Sequence, residues 1–146
     1  MANLLLTLLL LSSTERIQYR AYKAAPIIWE ESVAAGIDPY LVAAVAWNES
    51  RLSPTAKSKT SDCGIMQVNT RWSPYTCKQL LNVRTCVKAG IRALLYWQKR
   101  FSKREPNYQW TCHYNSGNKC GPRSLRYARK VRRTRKLLLR KRMFSI

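Results

Sequence analysis

The chain has 146 residues, is 46% hydrophobic and carries five Trp and eight Tyr, enough apolar matter for one folded domain and too much for a disordered chain. Twenty-seven Lys and Arg face seven Asp and Glu, a formal net charge of +20. That balance calls for an anionic partner: nucleic acid, a membrane surface, or a bacterial wall with its acidic polymers. Five Cys, with Cys77/Cys86 and Cys112/Cys120 as close pairs, favour an oxidising compartment and leave Cys63 over. His113 is the sole histidine and no C-x-x-C occurs, so the metal reading is the weaker one and no cofactor is expected.

The N-terminus carries an apolar run from Leu4 to Leu11, far short of the ~20 residues that span a bilayer. Two readings stay open for the segment 1–23. One is the core of an export signal, fitting in length but lacking a basic flank and a small-x-small site. The other is an amphipathic helix with Leu4, Leu8, Leu11, Tyr19 and Tyr22 on one face. Pro26 opens a helix that closes at Gly36. Asp38-Pro39 then gives an N-cap followed by Pro at the first helical position. YLVAAVAW is apolar nearly all round, as a central helix is, and polarity returns only at Asn48-Glu49-Ser50-Arg51.

From Leu52 to Pro74 the composition is that of loop and short hairpin. Val83, Val87, Ile91, Leu94, Gln98 and Phe101 predict a helix over about 83–100, with Gly90 allowing close approach of another helix. A second loop, Arg104 to Pro122, carries HYNSG. A basic helix follows from near Ser124, with Leu125, Ala128, Val131 and Leu138 as its buried stripe. The expected fold class is mostly α (α+β), with a central buried helix and a small β-hairpin region.

Two of the seven acids fall in chemically suggestive places. Glu49 stands where an oily helix ends; burial and the negative helix terminus both disfavour its ionised form. A carboxyl that keeps its proton near neutral pH can act as a general acid. Position alone favours the plainer reading of a solvated Glu at a helix end.

The surrounding motifs decide. GIDPYLVAAVAWNES, GIMQV and YNSG stand in this order and resemble the apolar helix ending in Glu-Ser, the Gly-Leu-Met-Gln and the Ala-Tyr-Asn-Ala-Gly of soluble lytic transglycosylases, in the lysozyme-like superfamily. The resemblance runs from about Ala24 to Val131, and residues 24–135 are expected to form the domain. It implies Glu49 as the catalytic acid at the bond between N-acetylmuramic acid and N-acetylglucosamine. It also implies Ser50 beside that acid or the sugar, Gln67 in the glycan groove on a turn made possible by Gly64, Tyr114 orienting Glu49 through its hydroxyl, and Asn115 shaping the same wall. Met66 is expected to pack beneath the site, and His113 to be structural. CVKAG replaces the family's Asn-Ile-x-x-Gly helix start, suggesting a disulfide in place of a cap. RWSPYTC followed by Cys86 also resembles animal-type lysozymes, which supports a Cys77–Cys86 bridge.

SDCGIMQVNTRW resembles the strand that carries the second carboxylate of those lysozymes, so Asp62 is the uncertain second catalytic acid; it could equally brace the hairpin. The resemblance therefore implies a lytic transglycosylase leaving a 1,6-anhydromuramoyl product, with a lysozyme-type hydrolase as the alternative. It also implies a location outside the cytoplasm or in a phage particle, and probes of assembly are expected to find a monomer. The segment Arg123 to Arg142 holds eleven Lys or Arg and no acid. Its end, 136–146, is expected to contact an anionic wall or membrane surface. A nucleic-acid-binding protein or a non-catalytic wall-binding module is the rival class, disfavoured by the absence of zinc-finger spacing or clustered base-reading side chains and by the presence of Glu49.

Overall fold

The computed structural model describes residues 1–11 and 14–143. Helix α1 (Ala2–Leu11) packs on α2 (Glu15–Ala35) and on α7 (Pro122–Met143). Leu4 and Leu8 are fully buried there, and Lys141 Nζ donates to the Leu10 carbonyl at 3.1 Å. Tyr19 and Tyr22 instead point to solvent, because α1 and α2 are two helices packed on each other and do not share one face. Thr14 caps α2 through its hydroxyl.

Pro26 does not open a helix; it lies inside α2. A proline there forfeits one backbone bond, a cost of about 3 kcal/mol at most sites. The buried line Ala21, Ala24, Ala25, Ile28 and Ser32 runs through it, so packing holds the helix together. Gly36 ends α2, and Asp38 Oδ1 accepts from the Tyr40 N–H at 2.9 Å to start α3 (Pro39–Ser50). Seven successive residues of α3, Tyr40 to Ala46, are buried. This is the expected central helix, enclosed by α2 and α7.

The β-region is very small. β1 (Asp62–Cys63) pairs antiparallel with β2 (Val68–Asn69), Asp62 opposite Asn69 and Cys63 opposite Val68. The short α4 (Cys77–Leu80) carries a capping box between Thr76 and Gln79. Helix α5 (Val83–Phe101) is the one expected over 83–100, but Asn82 caps it conventionally, accepting from the Thr85 N–H at 3.0 Å. No disulfide replaces that cap.

The bridges are Cys63–Cys77 and Cys112–Cys120. The expected Cys77–Cys86 pairing is therefore wrong, and Cys63 is not the residue left over. Cys77 opens α4 against β1, with its Cα 5.5 Å from that of Cys63. Cys86, one turn into α5, points into the core, where it meets the Cys63 carbonyl and the Met66 N–H at 3.5 Å each. Burial pushes its thiol pKa up, so it stays protonated.

The loop from Arg104 to Pro122 contains a 3-10 turn (Gln109–Thr111) and α6 (Cys112–Ser116). Beyond it α7 buries Ser124, Ala128, Val131, Thr134 and Leu138, while Leu125 is only half covered. The helix continues without a break through residue 136 to Met143.

Candidate active site

Helix α3 delivers Glu49 as its penultimate residue, just before Arg51 and Leu52 adopt left-handed backbone. Burial carries the Glu49 carboxyl from an ordinary pKa of 4.5 to about 7; the Tyr127 hydroxyl pulls it down and the charge on Asp62 adds to the rise. The carboxyl thus keeps its proton through mildly acidic pH and is about half protonated near pH 7. Among the described residues no Lys, Arg or His forms an ion pair with it, although the chain holds 27 Lys and Arg.

Opposite it the segment Gly64–Gln67 is held in a tight turn. Gly64 has φ +77°, and a Cβ there would collide with the Leu80 carbonyl. Met66 is fully buried, and its Sδ would lie 2.5 Å from a Cβ on Gly90. Gly90 therefore admits a methionine rather than another helix, and Met66 packs beneath the site as expected.

Ser50 and Tyr114 both tie this turn in place. The Ser50 hydroxyl donates to the Ile65 carbonyl at 2.7 Å and accepts from the Ser53 N–H at 3.0 Å. The Tyr114 hydroxyl donates to the Met66 carbonyl at 2.8 Å. Tyr114 was expected to orient Glu49 through that hydroxyl; its bond goes to the turn instead. The phenol aimed at Glu49 is Tyr127, on α7. Its hydroxyl is buried and makes no hydrogen bond of regular geometry among the described residues, so it acts on Glu49 by proximity. Burial first, then the nearness of Glu49, holds its pKa well above the usual range, so it remains a proton donor. Sequence reasoning missed this residue, yet a signal existed: Tyr127 is the sole aromatic between Arg123 and Met143 and sits next to the buried Ala128.

Asp62 has a different environment. Partial burial raises its pKa, but three side-chain donors outweigh that and bring it below the usual value. Ser58 and Thr60 donate to one oxygen at 2.7 and 2.6 Å, and Asn69 donates to the other at 2.8 Å. Asp62 is ionised and cross-braces the hairpin.

A groove of about 920 Å³ runs along this face, with Asp62, Gln67, Tyr114 and Asn115 in its lining. Gln67 turns its amide nitrogen inward, to the carbonyls of Ala56 at 3.1 Å and Gly64 at 2.9 Å. Trp72, 89% exposed, and Tyr96, half exposed, add flat aromatic surface suited to sugar rings. Neither was singled out in the sequence.

His113 is buried, its ring stacked 3.7 Å from that of Phe101 and 5.4 Å from that of Trp97. Its Nε2 lies 3.1 Å from Glu105 and its Nδ1 2.6 Å from the Gly117 carbonyl, which fixes the loop behind Tyr114 and Asn115. Glu105, Cys112, His113 and Cys120 bring potential metal-ligand atoms within 4.8 Å of one another. Since the two sulfurs are bonded to each other, the group acts as a cross-linked brace.

The residues that converge are therefore an apolar helix ending in Glu49, the Gly64–Gln67 turn, and the Tyr114–Asn115 wall. The transglycosylase SLT domain family matches residues 26–136, and these elements all fall inside that span. The chain belongs to that family. Among curated proteins, none matches the chain. Membership gives the SLT domain chain a place among peptidoglycan-directed transglycosylases of the lysozyme-like superfamily, and the mostly helical fold with its two-stranded sheet agrees. Among the described residues no helix is long and apolar enough to cross a membrane.

Proposed function

We propose that this chain is a lytic transglycosylase that cleaves the β-1,4 bond between N-acetylmuramic acid and N-acetylglucosamine, with Glu49 as its single acid and base. The observation that carries the reading is the Glu49 carboxyl at the end of the central helix, its pKa raised to about 7 by burial, with no cationic partner among the described residues and the Tyr127 phenol beside it. Glu49 gives its proton to the glycosidic oxygen as the C1–O bond breaks. The muramoyl C6 hydroxyl then adds to C1 and returns its proton to the Glu49 carboxylate. No water is consumed, and the product carries a 1,6-anhydro ring. The glycan lies along the groove, against Gln67, Asn115 and the faces of Trp72 and Tyr96. Ser50 and Tyr114 serve as positioning residues through the Ile65 and Met66 carbonyls.

A hydrolase remains the second reading because Asp62 is ionised, lines the groove and is felt by Glu49. Such a carboxylate can stabilise an oxocarbenium-like state. Three hydrogen bonds already hold it in the hairpin, which favours the bracing role. The substrate also puts the site of action outside the cytoplasm or at the delivery point of a phage particle. The basic end of α7 would assist on the anionic envelope surface.

Mass spectrometry of muropeptides released from purified peptidoglycan tests the reading. Products lighter by one water than their reducing-end counterparts are expected; reducing ends alone would establish hydrolysis. Glu49→Gln should lower release by at least ~10²-fold, the scale of lost general-acid catalysis. Undiminished release by that variant would remove Glu49 from the mechanism.

A further inference from the structure

A second hollow, of about 750 Å³, lies between the end of α3 and the outer face of α7. Its lining includes Arg51, Arg123, Arg126, Lys130 and Arg133, and no acid. Positions 123, 126, 130 and 133 are three or four residues apart, so their side chains share one side of the helix over roughly 15 Å. All five cations are exposed. Arg51 is occupied locally, its guanidinium over the Trp47 ring and donating to the Trp47 carbonyl at 3.2 Å. The other four take part in none of the ion pairs among the described residues, which use Arg84, Lys88, His113 and Arg135.

This hollow adjoins the candidate active site. Asn115 lines both it and the 920 Å³ groove, and Tyr127, whose hydroxyl faces Glu49, lines the hollow. A strand lying in the groove therefore passes the hollow at Asn115. We propose that the hollow binds the carboxylates of the stem peptide carried by the glycan strand being cut. The inference rests on the transglycosylase reading above. Each muramoyl unit bears its peptide on the lactyl group, a few bonds from the linkage that Glu49 would protonate. A row of unpaired cations repels itself until an anion enters it, and guanidinium forks match carboxylates in geometry. A nucleic-acid backbone would satisfy the charge equally. It would not account for the cations walling a recess that shares Asn115 with the glycan groove and Tyr127 with the surroundings of the acid.

The test compares glycan strands bearing intact stem peptides with the same strands stripped of peptide by an amidase. The enzymes are the wild type, an Arg126→Gln/Lys130→Gln/Arg133→Gln variant and a Lys130→Glu variant. For the wild type, KM should be about tenfold lower on peptide-bearing strands, in line with electrostatic complementarity at a groove, and the advantage should shrink with added salt. The triple variant should lose that advantage while kcat and its KM on stripped strands stay near wild type. Lys130→Glu should reduce the advantage in the same direction.

Equal wild-type KM on the two strands overturns the proposal, as does an advantage undiminished in both variants. So does loss of binding to a short DNA duplex in the triple variant with its peptide preference intact, which would assign the row to nucleic acid. Failure of the wild type to cut either strand would strike at the transglycosylase reading itself, a distinguishable result.

Discussion

Glu49 is the penultimate residue of a helix buried from Tyr40 to Ala46, whereas Asp62 begins a two-residue strand among hydroxyls and an amide. Burial opposes charge on both. At Glu49 a single phenol offsets little of it, and the pKa rises to about 7. At Asp62 three donors overcome it, and the pKa falls. Six of the seven acids are accounted for by their surroundings: Glu30 and Glu31 meet Arg84, Asp38 meets Arg135, Glu105 meets His113, Asp62 has its three donors, and Glu15 opens α2. Glu49 alone is held where ionisation is penalised. Among the described residues Glu15, Glu49 and Asp62 have no cationic partner, but only at Glu49 does burial win, and that contrast separates a reactive acid from a structural one.

The contrast has a thermodynamic signature. With its pKa raised on folding, Glu49 binds its proton more tightly in the folded state. Its contribution to stability is complete below the unfolded value, near 4.5, and is lost as pH rises to about 7. The loss amounts to about 3 kcal/mol by linkage, an upper figure for a group that keeps some access to solvent. Glu49→Gln cannot ionise, so urea unfolding at pH 5 and pH 8 should show that variant gaining stability relative to wild type at the higher pH. Parallel pH profiles for the two proteins would mean that Glu49 is not buried as described.

Asp62→Asn sharpens the comparison from the other side. The anion raises the Glu49 pKa, so its removal should move the alkaline limb of the activity profile to lower pH. Turnover on peptidoglycan below that limb should fall by no more than ~10-fold if Asp62 only braces the hairpin. A loss of ~10³-fold or more, seen in initial rates of muropeptide release, would instead make Asp62 a second catalytic carboxylate.

Much of the fold was legible because its signals are local. Asp38-Pro39, the apolar run after it and the spacing of Val83, Val87, Ile91 and Leu94 each fix an element without distant help, and the structure forms those elements. Pro26 misled because tertiary packing overrode its local preference. The disulfides were only half legible: Cys112 and Cys120 close a loop on themselves, but the partner of Cys77 depends on how the hairpin docks against α4, and sequence spacing does not encode that. The same limit applies to the site. Glu49 and Asp62 could be found from motifs, whereas Tyr127 approaches Glu49 only because α7 folds back across α3. Tyr114 was placed on the right wall and given the wrong partner, since its bond to Met66 requires knowing the path of the turn.

Tyr127→Phe is the mildest change and bears most directly on that missed contact. The hydroxyl stabilises the ionised Glu49, so its loss should raise the pKa above about 7 and extend activity to higher pH, opposite in sign to Asp62→Asn. The ring stays in place, and a buried hydroxyl without another partner is removed, so stability should change little. In the proposed cycle Glu49 must also become a carboxylate, to take the proton of the C6 hydroxyl; without the phenol that ion is less stable. The kcat should therefore drop by ~10-fold, the lower end of what one contact to a charged group contributes. Rate measurements from pH 5 to pH 9 on the two variants separate these contributions. Should both move the alkaline limb in the same direction, the opposing influences assigned to Tyr127 and Asp62 would be wrong.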